Sequence, residues 1–411
     1  MSLLRGVDRD GSAVRVDRRR SSARHQCAVL YFLFFVMGTE GFLMPPILPA
    51  LAADLDISIA LAAATSTAFV VTYAVFGPPL GVLSDIRPKR QPVLAGMALF
   101  AISNIGVGLA QNFPQMLLAR TLMGFAAAVA LPAAWAHLSD ICPPPRRGRA
   151  ITNGFAVYGF GQVVGVPLGA FATQVFGWRL PYLAIGVGFV AVLGWAVRTI
   201  DTRAPRETAV RWSNMVRPLA VPVVCLALAA TFAVQAGRLG AFTYVGALLE
   251  SRFGFDVAAR GLVGALVGVT VIVGSLLSGA LVDRQRRGGH HEGWITVAGA
   301  LFFAAAVALA AGTTTLWIFV LALTMWCLAG GLSYSAQQAY LADVRPAART
   351  TVVAWHSTVM NVGHAAGNTA LGSVAIGGTA FAAIAAGFGV LGAALAVAVV
   401  LLHRLRRPGD R

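Results

Sequence analysis

The chain has 411 residues, 57% of them hydrophobic and only 12% charged, with a mean hydropathy of +0.74 and a formal net charge of +16. A soluble domain carries roughly 25% charged residues, so composition excludes an ordinary water-soluble globule and points to a multi-pass membrane protein. The positive charge alone would suit a nucleic-acid binder, and its placement has to decide that question.

Crossing the hydrocarbon core takes about 20 apolar residues in a helix. Breaks at charged or Pro- and Gly-rich points give twelve predicted spans, at 26–50, 59–84, 91–111, 114–141, 150–175, 180–198, 218–249, 258–282, 294–312, 315–341, 350–373 and 378–403. The runs are continuous with no period of two, which favours helices over a barrel. The expected fold is an all-α membrane protein of twelve transmembrane helices in two pseudo-symmetric six-helix halves. Its predicted divisions are a basic tail (1–25), a first half (26–198), a polar linker (199–217), a second half (218–403) and a short tail (404–411). Arg18–Arg20, the apolar stretch after them and Ala50–Ala52 resemble a secretory signal. Glu40 and three prolines interrupt that stretch and eleven more spans follow, so an uncleaved first helix is expected.

With the amino terminus placed in the cytoplasm, 27 of the 32 Lys and Arg fall on the inner side. Arg179, Arg252 and Arg260 fall outside, and Arg120 and Arg238 lie within spans. This is the positive-inside pattern. It predicts both termini in the cytoplasm and accounts for the net charge without nucleic acid. One Lys against 31 Arg, beside abundant Ala and Gly, suggests GC-rich bacterial coding and hence a bacterial inner membrane. The four cysteines lack paired spacing and are expected as small buried residues rather than disulfides or metal ligands.

In the first span Glu40 lies about ten residues from the outer end, near mid-membrane at about 1.5 Å per residue. An acid at that depth costs about 2.5–3.5 kcal/mol on insertion scales and by default marks an ion or substrate pathway. It reads either as a proton carrier or as a structural acid held by hydroxyls such as Thr39. The second span closes on Gly81-Val-Leu-Ser-Asp85, and Arg87, Lys89 and Arg90 open the third. A weaker copy, Gly279-Ala-Leu-Val-Asp283-Arg284, recurs 198 residues later. At the same offset Gly165 and Gly169 fall on Gly363 and Gly367, and Glu40 falls on Arg238. Each half has an even number of spans, so the repeats run parallel, about an axis along the membrane normal.

The fourth span holds Arg120, long enough to reach toward Glu40. In the fifth, Gly161, Gly165 and Gly169 repeat every four residues with Pro167 among them. That face permits close helix approach, and the proline permits bending. Arg238 in the seventh span reads either as a substrate or charge-balancing group or as a local anchor to Gln235. Gln162, Tyr334, Gln337, Asn361 and His364 supply further polarity for a cavity, or for bonds between helices. No phosphate-binding loop or nucleophile elbow appears, and His290-His291-Glu292 lies in a Gly-rich loop where solvation is expected.

Several of these pieces occur together in a recognisable order. They are Gly38-Thr-Glu40-Gly-Phe42, Gly81–Asp85 with Pro88-Lys89-Arg90, Arg120 with Gly124, Pro145–Arg149, and Gly165-Val-Pro-Leu-Gly169 running into Gly177-Trp-Arg179. From about residue 27 the chain resembles the major facilitator superfamily, and within it the bacterial drug:proton antiporter branch, the arabinose-efflux-permease-like and chloramphenicol exporter group. It departs from that pattern at Ile86, where a basic residue is usual, at Met123, where Gln is common, and at Phe125–Ala128, where some relatives carry His-Gly.

The resemblance implies a rocking transporter whose first, fourth, seventh and tenth spans line a central cavity. It implies proton coupling through Arg120, an inner latch at the Asp85 loop, and a fifth-span glycine motif that marks antiporters. The expected protein is a proton-coupled exporter of a small drug-like or amphiphilic substrate rather than an enzyme. Its expected partners are that substrate, protons and the lipid bilayer; it is expected to be monomeric, without cofactor or metal. A sugar or nucleoside exporter, a passive uniporter and a non-transporting sensor are the alternatives.

Overall fold

A computed structural model describes residues 8–85, 88–201, 216–344 and 349–405. In the first half the helices are α1 (Asp8–Asp54), α2 (Ile59–Asp85), α3 (Arg90–Leu109), α4 (Phe113–Ile141), α5 (Pro144–Phe160), α6 (Val166–Phe176) and α7 (Arg179–Thr199). The second half comprises α8 (Pro222–Thr243), α9 (Val245–Phe253), α10 (Val257–Arg287), α11 (Gly293–Gly312), α12 (Leu316–Val344), α13 (Arg349–Gly372) and α14 (Thr379–Leu405). No strand occurs among the described residues. A π turn, Gly161–Gly165, joins α5 to α6 in one pass, and α8 and α9 together make another. Most of the predicted linker, 202–215, and the outermost tail residues, 1–7 and 406–411, lie outside the described residues.

Among the described residues, eleven passes are long and apolar enough to cross a membrane. The twelfth, α13, has 24 residues, about 36 Å of helix. His356, Asn361, His364 and Asn368 dilute its apolar character. It packs against α8 and α2 inside the bundle, so those polar groups face protein rather than lipid. Large apolar side chains such as Leu276 and Trp317 stand outward, 72% and 78% exposed, as a lipid-facing surface requires.

Local chemistry sets the helix ends. Asn112 caps α4 by accepting from the Gln115 amide at 3.1 Å, and Asp256 caps α10 through the Ala259 amide at 2.8 Å. Gly254 closes α9 at φ 66°, a left-handed conformation that a side chain would strain.

The halves meet along three seams, α2 on α13, α6 on α10, and α1 on α9 and α10. Gly246 packs on the Pro45 carbonyl, and Gly261 lies against Ala170 and Pro167. Asn368 Nδ2 donates to Thr67 Oγ1 at 3.4 Å. Gln174 of α6 donates to Asp256 Oδ2 at 3.2 Å and accepts from the Ala258 amide at 2.9 Å. These contacts cluster toward the end of the bundle opposite the Arg- and Lys-rich loops. That end is sealed.

Candidate functional site

The first element of the site is a close approach of two helices. Gly161 sits against the Phe35 carbonyl, Gly165 against the Thr39 side chain and Gly169 against Leu43, all on α1. Four-residue spacing on both partners puts each set on one face. A Cβ at Gly161 or Gly165 would overlap α1 atoms, so only glycine allows this separation. Pro167 cannot donate to the carbonyl four residues back, and the helix widens into its π turn just there. The Thr39 hydroxyl bonds to the Phe35 carbonyl (3.1 Å) and to the Gly161 carbonyl across the contact (3.0 Å). Thr39 is thereby committed to backbone, and Glu40 looks elsewhere for a partner.

That partner is Arg120. Glu40 Oε1 and Arg120 Nη1 form an ion pair between α1 and α4, with the two residues only 1% and 2% exposed. The Arg120 guanidinium lies over the Phe69 ring of α2, 5.0 Å from its centroid, and Nη1 also meets Met123 Sδ at 3.4 Å. Glu40 Oε2, Arg120 Nε and the Tyr182 hydroxyl are buried without a hydrogen-bond partner. The pair therefore ties α1, α2 and α4 together, while the second carboxylate oxygen has no hydrogen-bond partner. Among the described acidic residues from Ala23 onward, Glu40 alone lies in the apolar part of a span; the others fall in loops or near helix ends.

The second half supplies another cation. Arg238 of α8 donates from Nε to Gln235 Oε1 at 2.8 Å and lies across Gly330 of α12, where a Cβ would stand 2.8 Å from its Nε and Nη1. No carboxylate pairs with it among the described residues. His364 Nε2 is 3.1 Å from Thr243 Oγ1 on α8, the helix that carries Arg238. The Tyr158 hydroxyl of α5 lies 3.4 Å from where a Cβ on Gly41 of α1, next to Glu40, would stand.

Beside Tyr334 is a small cavity lined by Thr231, Val234, Gln235, Thr296, Ser333, Gln337 and His356. His356 stacks on Tyr334 with ring centroids 4.6 Å apart, is wholly buried, and has neither ring nitrogen bonded. Gln337 donates to the Ala227 carbonyl, so it anchors α12 to α8. Gln162 is buried beside Gly268 at the seam between the halves, with its Nε2 unpartnered. Asn361 donates to Ser357 on its own helix at 2.8 Å.

The predicted inner latch is only partly visible. The surroundings of Gly81, the side chain of Asp85, and all of Ile86 and Arg87 lie outside the described residues. Arg90 Nη2 donates to the Val197 carbonyl at 2.6 Å, tying α3 to α7, and Lys89 also has a partner. In the second copy Asp283 and Arg284 are exposed. The ion cluster there forms instead through Arg286, which binds Glu292 and reaches Asp343 at 2.8 Å, joining the ends of α10, α11 and α12.

Sequence reasoning missed Phe69, Gly330, Arg286 and His356. Only His356 carried a usable signal, a polar residue within a span, which is the rule that selected His364. The other three acquire meaning from contacts across helices.

Residues 30–368 match the Major Facilitator Superfamily. The chain is similar to the uncharacterized MFS-type transporter YceJ of Bacillus subtilis, 24% identical across 84% of this chain and 87% of that protein. It is also similar to the purine ribonucleoside efflux pump NepI of Escherichia coli, 29% identical across 67% of each. Among solved structures, a bacterial homolog of the human lysosomal transporter Spinster, inward-facing and unoccupied, superposes with a TM-score of 0.76 at 18% identity, over 93% of this chain and 96% of that one. The chain belongs to the Major Facilitator Superfamily and is a multi-pass membrane transporter, not an enzyme.

Proposed function

We propose that this transporter exports a small drug-like or amphiphilic metabolite from a bacterial cell by alternating access, in exchange for protons. The buried Glu40–Arg120 pair carries this reading. A proton on Glu40 converts the ion pair into a neutral acid beside a free guanidinium. Arg120 is not then stranded, because the Phe69 face remains beneath it as a cation–π partner. Protonation therefore loosens the tie between α1 and α4, at the point where the glycine face already sets α1 against α5 and α6. The positive-inside distribution makes the basic side cytoplasmic, both termini with it, and the sealed side periplasmic.

In the same reading Arg238, Tyr334, Gln337, His364, Asn361 and Gln162 contribute to the substrate cavity. Gly81, Asp85, Arg87, Lys89 and Arg90 form the cytoplasmic gate with Asp283 and Arg284 as its counterpart, and one copy of the chain suffices. Glu40→Gln tests the coupling. Inside-out vesicles bearing the variant should lose uptake driven by a pH gradient while the protein stays folded, and retained uphill uptake would overturn the proposal.

The similarity to NepI favours a second reading, in which purine ribonucleosides are the cargo. Excess inosine should then compete with transport.

A further inference from the structure

We propose that the cargo is an organic anion and that Arg238 is the residue that selects it. The inference rests on the export reading for direction only; recognition at Arg238 is independent of proton coupling.

The argument is one of charge balance inside the membrane. Two guanidiniums, Arg120 and Arg238, stand in the apolar parts of spans, with a single carboxylate between them. That carboxylate, Glu40, is bound to Arg120. Elsewhere the buried cation is matched, as where Arg260, 3% exposed at its side chain, pairs with Glu250 at 2.8 Å. Among the described residues Arg238 has the neutral Gln235 oxygen and no carboxylate. Its position is nonetheless built: Nε is fixed on Gln235, and Gly330 leaves the room in which the side chain lies. His364 Nε2 lies 3.1 Å from Thr243 Oγ1, on the helix that carries Arg238.

Water serves this cation while the cavity is open. Alternating access requires the cavity to close over it, and an ion taken out of water without a counter-charge is strongly disfavoured. A carboxylate or phosphate on the cargo supplies that counter-charge, and the planar fork of Arg238 can grip either through two parallel hydrogen bonds. Occlusion is then favourable with cargo aboard and unfavourable without it.

Binding to the purified protein in detergent, with no gradient present, provides the test. Two pairs of probes share a scaffold and differ in charge, guanosine with guanosine 5′-monophosphate and rhodamine 123 with fluorescein. Melting temperature is measured at constant ionic strength. The anionic member of at least one pair should raise it by about 2 °C or more at saturating concentration, and the neutral or cationic member should not. Arg238→Gln should abolish the shift and Arg238→Lys should retain part of it, showing that the fold survives. The readout uses no gradient, so a transporter that failed the vesicle test of proton coupling would still show the anion shift, and the two failures are distinguishable. Three results would overturn the inference: no stabilisation by either anion, equal stabilisation by the neutral or cationic partner, or an undiminished shift in Arg238→Gln.

Discussion

Replacing Glu40 and Arg120 singly and together by glutamine tests whether their contact is an ion pair that matters to the fold. Deleting one partner of a buried pair typically costs about 3–5 kcal/mol, because the other charge is left uncompensated. Glu40→Gln keeps an amide oxygen near Arg120 Nη1, and a hydrogen bond to a charged group returns about 1.5–3 kcal/mol. The expected net loss is about 1–3 kcal/mol. Arg120→Gln strands the carboxylate and also removes the cation from the Phe69 face, so its loss should be larger, about 3–5 kcal/mol. In the double variant no charge is buried, and its stability should lie within about 1 kcal/mol of the parent. The singles together would predict a loss of about 4–8 kcal/mol, so the coupling should be several kcal/mol, well beyond the roughly 0.5 kcal/mol scatter of independent sites. Reversible unfolding of the detergent-solubilised protein measures it. Additivity to within about 0.5 kcal/mol would refute the argument.

Two further outcomes follow from the packing. Gly165→Leu places a side chain where that of Thr39 lies, and overpacking of this kind costs about 1–3 kcal/mol or more. The yield of folded protein and its melting temperature should fall, and an unchanged value would mean that α1 and the π turn are not in close contact. Gln174→Ala removes two hydrogen bonds across the sealed end, worth about 0.5–1.5 kcal/mol each. A cysteine placed at Val263, on the sealed seam, in an otherwise cysteine-free protein should then be alkylated at least about fivefold faster. An unchanged rate would count against Gln174 as a latch.

Much of the fold could be read directly. Most passes announce themselves because bilayer thickness demands a long apolar run, and for α13, too polar to meet that test, the predicted end at residue 373 lies one residue beyond Gly372. The 198-residue offset has a visible counterpart in packing. Gly165 and Gly169 rest on α1, and their repeat positions Gly363 and Gly367 rest on Phe232 and Ala236 of α8, the corresponding helix. Glu40 and Arg120 were legible as candidates for the same reason that charges within spans always are. Asp283 and Arg284 illustrate the opposite case. The motif copy points to this stretch of chain, and the ion cluster there forms around Arg286, two residues after Arg284, because helical rotation decides which side chain turns toward Asp343.

The sequence by itself determined the class of molecule, its twelve passes, its internal duplication, and the fact that its membrane interior holds two guanidiniums and a single acid. These follow from composition and hydropathy along the chain, quantities that do not depend on how helices are arranged. Tertiary structure alone decided how those charges are shared. It gave Glu40 to Arg120, set Phe69 beneath that guanidinium, and left Arg238 on Gly330 with a neutral partner. It also decided which end of the bundle is sealed. Such pairings depend on rotation and approach between helices that are 80 or more residues apart in the chain, as Glu40 and Arg120 are, and no local pattern encodes them.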